Sequence, residues 1–189
     1  MRVPETCDAL VAALRTYARH ATPQQITQAQ RIIEFVQTHV APWRRSTIEG
    51  HLTASAWIVD EAQTHALLVH HKKLDQWLQP GGHIDEEDLG VFDAALREAR
   101  EETGIEDFAI ESVSAPPIFD VDVHEIPARG EEPAHFHYDI RYRFTALNRA
   151  TTLNATEANA LRWFPITQIA ADETIDESVR RMALIFSAS

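Results

Sequence analysis

The sequence predicts an α/β/α sandwich with a mixed sheet, preceded by an N-terminal helical extension. Three observations carry this. Segments with strand-like alternation interleave with segments of helical period along residues 51–189. Two neighbouring strand-like segments in the middle of the chain are joined by a polar loop and form a hairpin, so the sheet is not wholly parallel. Hydrophobic residues make up 44% of the 189-residue chain and charged residues 24%, which suits one sizeable core at about one domain's length.

The elements follow in order. Leu10, Leu14 and Tyr17 recur at helical spacing in a first helix. A second opens with Thr22 as cap, Pro23 in the first turn and Gln25 completing a capping box. Its expected apolar stripe is Ile26, Ala29, Ile33, Val36 and Val40, and Pro42 ends it. Residues 1–45 therefore read as a helical extension, either a packing or dimer element or a cap on a cleft, and residues 46–189 as the main domain. HLTASAWIVD and THALLVHH read as strands joined by a polar turn at 61–64, and QWLQPGG as a short strand ending in a glycine turn. A helix is expected over Asp88–Thr103, closed by Gly104. The hairpin strands are SVSAPPIFDVDVHEI and HFHYDIRYRFTAL, and LRWFP is a last short strand. A capping box at Thr174 and Glu177 opens a C-terminal helix carrying Ile175, Val179, Met182 and Phe186.

Charge and cysteine content exclude several function classes. The net charge is −12, which argues against a nucleic-acid partner bound through its phosphate backbone. A small phosphate-bearing ligand fits if metal ions supply positive charge. Cys7 is the one cysteine, so neither a disulfide framework nor a cysteine-rich zinc site is expected. No apolar run approaches the roughly 20 residues that span a bilayer. The first ten residues contain no apolar signal core, so no membrane association and a cytoplasmic location are expected.

Chemistry concentrates in GGHIDEEDLGVFDAALREAREETGI, residues 81–105. On a helix, Phe92, Ala95, Leu96, Ala99 and Thr103 form the core face. Glu98, Glu101 and Glu102 fall at i, i+3 and i+4 beside it. Like charges at i,i+4 cost about 0.2–0.5 kcal/mol per pair. A hard divalent cation converts that repulsion into a binding site, and Mg²⁺ keeps coordination positions open for phosphates.

This segment resembles the Nudix box, whose pattern is G-x5-E-x7-R-E-U-x-E-E-x-G-U, with U a bulky aliphatic residue. Arg97, Glu98, Glu101, Glu102 and Gly104 fall on fixed positions, Ala99 and Ile105 on the U positions. The wider resemblance covers about residues 51–170 and includes WLQPGG and RWFP. If Gly82 is the family's first glycine, Asp88 takes the first acidic position with one extra residue before Arg97; Glu86 and Glu87 are the other candidates. The resemblance implies the Nudix fold and a Mg²⁺-dependent pyrophosphohydrolase, Mn²⁺ being the alternative ion. Its substrate would be a nucleoside diphosphate linked to another moiety. It also implies Glu98, Glu101 and Glu102 as metal ligands and Arg97 as the residue that orients a carboxylate. The base that activates water would be Glu101 or Glu102 from the box, or Glu157 from a downstream loop. The alternative reading is a non-hydrolytic Nudix-fold nucleotide-binding module or sensor.

A second constellation does not depend on the box. In the hairpin, His137, Asp139, Arg141 and Arg143 alternate with apolar residues, as do Asp120, Asp122 and His124 around Phe119, Val121 and Val123. Aligned apolar faces require paired residue numbers with an odd sum. One such register sets His124 opposite His135, Asp122 opposite His137 and Asp120 opposite Asp139. This face is expected to line a substrate cleft, its arginines taking phosphate or carboxylate oxygens, its His/Asp group holding a metal or orienting substrate. Lys73 and Gly82 are the remaining substrate-binding candidates, and Trp57 and Trp163 read as core.

Overall fold

The structure, a computed structural model, describes residues 5–110, 116–130, 133–156 and 158–188. The elements are α1 (Cys7–Ala18), α2 (Pro23–Thr38), β1 (Gly50–Asp60), β2 (His65–His71), β3 (Gln76–Leu78), β4 (Gly81–His83), α3 (Val91–Thr103), β5 (Phe108–Ala109), β6 (Ile118–Ile126), β7 (His135–Ala146), β8 (Ala158–Pro165), α4 (Ile166–Ala171) and α5 (Glu177–Ser187).

β1 is the spine of a mixed sheet. It runs parallel to β7 from Gly50↔Phe136 to Asp60↔Ala146. β4 and β2 pair antiparallel with it at Thr53–Ser55 and at Ile58–Val59. β7 also takes β6 and β5, while β2 takes β3 and β8. Because side chains alternate across a strand, β1 feeds two cores. Leu52, Ala54, Ala56 and Ile58 join Phe92, Ala95 and Ala99 of α3, Ile140 and Phe144 of β7, and Leu10, Leu14, Ile32 and Phe35 of α1 and α2. Trp57 and Val59 join Ala66, Leu68, Phe164, Ile169, Val179 and Met182 of β2, β8, α4 and α5. This is the expected α/β/α sandwich with helices α1 and α2 added, and those helices share the core of the main domain. Leu14 and Ile32 are fully enclosed, a position at which truncation to alanine costs about 2–5 kcal/mol.

Several local expectations are corrected. The buried face of α2 is Gln25, Ala29, Ile32, Phe35 and Val36, rotated from the expected stripe. The rotation lays Phe35 on the Tyr138 ring, 4.0 Å between centroids, and Val40, past the end of α2, is 98% exposed. The acidic helix α3 begins at Val91 rather than Asp88. α5 is capped by Asp176, which accepts from the Ser178 N–H, whereas Thr174 hydrogen-bonds Asp172 in the preceding turn. β5 and α4 were not foreseen, being only two and six residues long. The hairpin keeps the odd-sum rule, but its register is displaced by two residues: Asp120↔Arg141, Asp122↔Asp139, His124↔His137. A bulge between Ile118 and Asp120 breaks the alternation. Phe119 therefore packs with the Trp57 core, away from Val121 and Val123.

Candidate active site

Helix α3 and strand β4 build the site. The core face of α3 holds Phe92, Ala95, Leu96, Ala99 and Thr103 against the sheet, which fixes the rotation of the glutamates beside them. Gly104, in the left-handed conformation at φ 69°, closes the helix with its N–H on the Arg100 carbonyl. The N-cap is Gly90, which has no side chain to offer. Glu5, in the extension, supplies the missing acceptor: its Oε2 lies 3.0 Å from the Val91 N–H and its own N–H donates to the Leu89 carbonyl at 2.7 Å. A carboxylate there also meets the positive end of the helix dipole.

Arg97 gathers the acids. Its Nε and Nη2 bind Asp88 in a two-point fork at 3.1 and 2.9 Å, and Nη2 also donates to the His83 carbonyl at 2.9 Å. Nη1 donates to Glu98 Oε1 at 3.0 Å and to Glu101 Oε2 at 3.1 Å. The Asp88 hydrogen bonds, followed by the charges of Glu98 and Asp88, outweigh burial and raise the guanidinium's proton affinity. Of the three candidates for the first acidic position, Asp88 is the one held by Arg97; Glu86 instead pairs with Arg44 at 3.3 Å. Glu102 is buried and accepts the Gly81 N–H at 3.0 Å. The Glu98 carboxylate lies against Gly82, where an added Cβ would stand 2.5 Å from Oε1. Glu101 has a side chain 55% exposed. Glu98 and Glu102 thus meet the two glycines, which form strand β4 on β1 rather than the expected turn, and Glu101 joins them through Arg97. All-oxygen donors are the chemistry that suits Mg²⁺ or Mn²⁺.

The strand face turns inward. Arg141 is 1% exposed. Its donors reach Asp139 at 2.8 Å, Asp120 at 3.1 Å and Ser178 at 3.2 Å, with Asp122 at 3.5 Å. Arg181 of α5 adds bonds to Asp120 at 2.8 Å and Asp122 at 3.0 Å. Gln25 of α2 donates to Asp120 as well. Asp139 also accepts from the Thr53 and Ser55 hydroxyls. Burial raises the Asp122 pKa, but a hydrogen bond from His124 and the charges of Arg141 and Arg181 hold it well below the usual carboxylate range. Asp139 and Arg141 are thus engaged within the protein. Arg143 is half-buried, its guanidinium 5.9 Å from the Phe186 ring centroid, and Lys73 is exposed in the β2–β3 turn. Glu157 lies outside the described residues.

Beside this face stands a group of imidazoles. His51 packs against His137, His83 and His135 at centroid distances of 4.8, 5.0 and 5.2 Å. Burial, then the neighbouring imidazoles, pushes the His51 pKa down to about 4 and that of His137 further down. Sequence reading singled out His137 but not His51. The available signal was the odd-numbered parity that His51 shares with Thr53 and Ser55 on β1.

The Nudix domain model matches residues 50–183, well over half of the chain. The chain belongs to the Nudix family and is a Nudix-type hydrolase. A Nudix-family hydrolase from Clostridium perfringens is similar in structure, with a TM-score of 0.53 and 25% identity over 73% of this chain and 97% of that one. A MutT Nudix hydrolase from Burkholderia pseudomallei gives a TM-score of 0.55 at 22% identity, covering 71% and 96%. The dihydroneopterin triphosphate pyrophosphohydrolase of E. coli gives 0.52 at 18% identity, covering 70% and 91%. No curated protein sequence matches the chain. Among the described residues, no helix is long and apolar enough to cross a membrane.

Proposed function

We propose that this hydrolase is a divalent-metal-dependent pyrophosphohydrolase that cleaves a diphosphate linkage in a nucleoside diphosphate joined to another moiety. The observation that carries the reading is the gathering of Glu98 and Glu101 by Arg97 beside the two glycines of β4, the first of which also bonds Glu102. Glu98, Glu101 and Glu102 would hold Mg²⁺, or Mn²⁺ in its place. When bound, the ion neutralises charge on the non-bridging diphosphate oxygens. The protein's own part is positional. Arg97 holds Glu98 and Glu101 together, and the lack of side chains at Gly81 and Gly82 lets strand β1 and the Glu98 carboxylate close on β4. A carboxylate must take the proton of the attacking water; Glu101, Glu102 and the downstream Glu157 are the candidates. Arg143 and Lys73 are the side chains we assign to the outer parts of the substrate. A small nucleotide rather than nucleic acid fits the charge of −12. Residues 1–45 are read as an extension of the hydrolase domain over 46–189, which supports α3 through Glu5.

The test is phosphate or nucleotide release across a panel of nucleoside diphosphate compounds with Mg²⁺ and with Mn²⁺, with Glu101→Gln and Glu102→Gln in parallel. Metal-dependent turnover of one compound class, with at least one variant losing about 10²-fold or more of kcat, supports the reading. Turnover that survives chelation, or that neither variant reduces, refutes it. Nucleotide binding without any turnover would put the sensor reading in its place.

A further inference from the structure

His51, His83 and His137 have no part in the reaction proposed above. They come from β1, β4 and β7, and each contributes a ring nitrogen to a set lying within 4.8 Å of one another. Among the described residues, this is the set of three His, Cys, Asp or Glu groups that meets the spacing. Strand order creates it. Parallel pairing sets His51 beside His137, and antiparallel pairing sets His83 beside Thr53, two residues along the same face.

His51 makes the cluster informative. The residue is 1% exposed, and both of its ring nitrogens are enclosed without a hydrogen-bond partner. Buried polar groups are nearly always satisfied, so an imidazole with no partner on either nitrogen, packed against other imidazoles, has a lone pair to give to a cation. The nearby carboxylates are already engaged. Asp139 takes Thr53, Ser55 and Arg141, and Asp122 takes His124 and Arg181. The donors that come together are therefore nitrogens, which favour zinc-class ions over Mg²⁺ or Ca²⁺. At metal–nitrogen bonds of about 2.0–2.1 Å, tetrahedral ligands stand about 3.3–3.4 Å apart. Nitrogens within 4.8 Å reach that spacing by side-chain shifts of about 1 Å or less.

We propose that His51, His83 and His137 bind one zinc-class divalent cation at a site separate from the carboxylates of α3. The ion would join three strands at one point. Through His83 it would fasten β4, whose Gly81 and Gly82 touch Glu102 and Glu98. The outer imidazoles are already oriented: His124 Nδ1 lies 3.0 Å from Asp122 Oδ2 and His135 Nδ1 3.0 Å from the Pro133 carbonyl.

The experiment is titration of the full-length, chelator-stripped protein with Zn²⁺ against a chromophoric chelator, and with Co²⁺ followed by visible absorption. The wild type should take up one tight Zn²⁺ equivalent, show the visible bands of nitrogen-ligated Co²⁺ and melt at a higher temperature with Zn²⁺. A Glu98→Gln, Glu101→Gln double variant should retain this equivalent. His83→Asn, at a half-buried position on a short strand, and His51→Gln should weaken it by more than the roughly 10–100-fold that loss of an outer contact causes. Absence of the equivalent in the wild type overturns the proposal. So does its retention in histidine variants whose circular dichroism matches the wild type, or its loss in the glutamate variant alone.

Discussion

Replacing Gly82 by alanine perturbs the active site without removing a charged group. The new Cβ would stand 2.5 Å from Glu98 Oε1, 2.7 Å from Cδ and 2.9 Å from Oε2. Ordinary contact begins at about 3.5 Å, so the carboxylate must retreat by about 1 Å. It is the far end of a flexible side chain, so the fold yields there at little cost. The loss includes the Arg97–Glu98 pair, now at 3.0 Å, and it is offset by the roughly 0.4–1 kcal/mol that a Gly→Ala change gains through the unfolded chain. A misplacement of about 1 Å costs a reaction on the order of 10²-fold. Gly82→Ala should therefore lower kcat by about that factor on the compound the panel identifies, with Tm within a few degrees of wild type. Gly81→Ala is the contrasting change. Its Cβ would meet the Ala54 carbonyl oxygen and Ser55 Cα at 2.7 Å, backbone atoms of the central strand that cannot give way, so Tm should fall along with activity. Wild-type kcat in a stably folded Gly82→Ala protein would refute the argument that Glu98 must sit against Gly82.

Other perturbations test the supporting structure. Arg141→Met leaves Asp139, 2% exposed, with hydroxyl donors from Thr53 and Ser55, and Asp120, 0% exposed, with Arg181 as its remaining cation, and should cost about 3 kcal/mol in urea unfolding; a loss under 1 kcal/mol would contradict the central role given to this guanidinium. Glu5→Ala removes the trans cap of α3 and should cost about 1 kcal/mol, read as a lower Tm, whereas an unchanged Tm would show that the cap adds nothing. Asp122, faced by His124, Asp139, Arg141 and Arg181, has a depressed folded pKa, so its stabilisation is present above the unfolded value of about 3.9 and is lost as pH falls below it. Between about pH 4 and pH 2, Asp122→Asn should flatten the fall in stability by up to about 1.4 kcal/mol per pH unit, and an unchanged slope would disprove the assignment.

The sequence was most legible where structure is local. Thr22 and Gln25 form the capping box the spacing implies, and Gly104 closes α3, because caps depend on residues within one turn. The buried face of α2 was misjudged because both candidate stripes are apolar, and the choice between them rests on contacts with Tyr138 and Asp120, more than eighty residues away in the chain. Glu5 could not be read as the cap of α3 for the same reason: its partner is Val91.

By itself, the sequence determined which face of α3 packs on the sheet and which presents its acids. Helical period sets Glu98, Glu101 and Glu102 side by side, and alternation sets His137, Asp139 and Arg141 on one strand face. Tertiary structure decided what those faces meet. Strand order set β6 two residues away from the expected register, covered the arginine face with Ser178 and Arg181 of α5, and brought His51 and His83 to His137. Periodicity acts within a turn or a strand, whereas a partner across the sheet is fixed when both cores close on β1 at once.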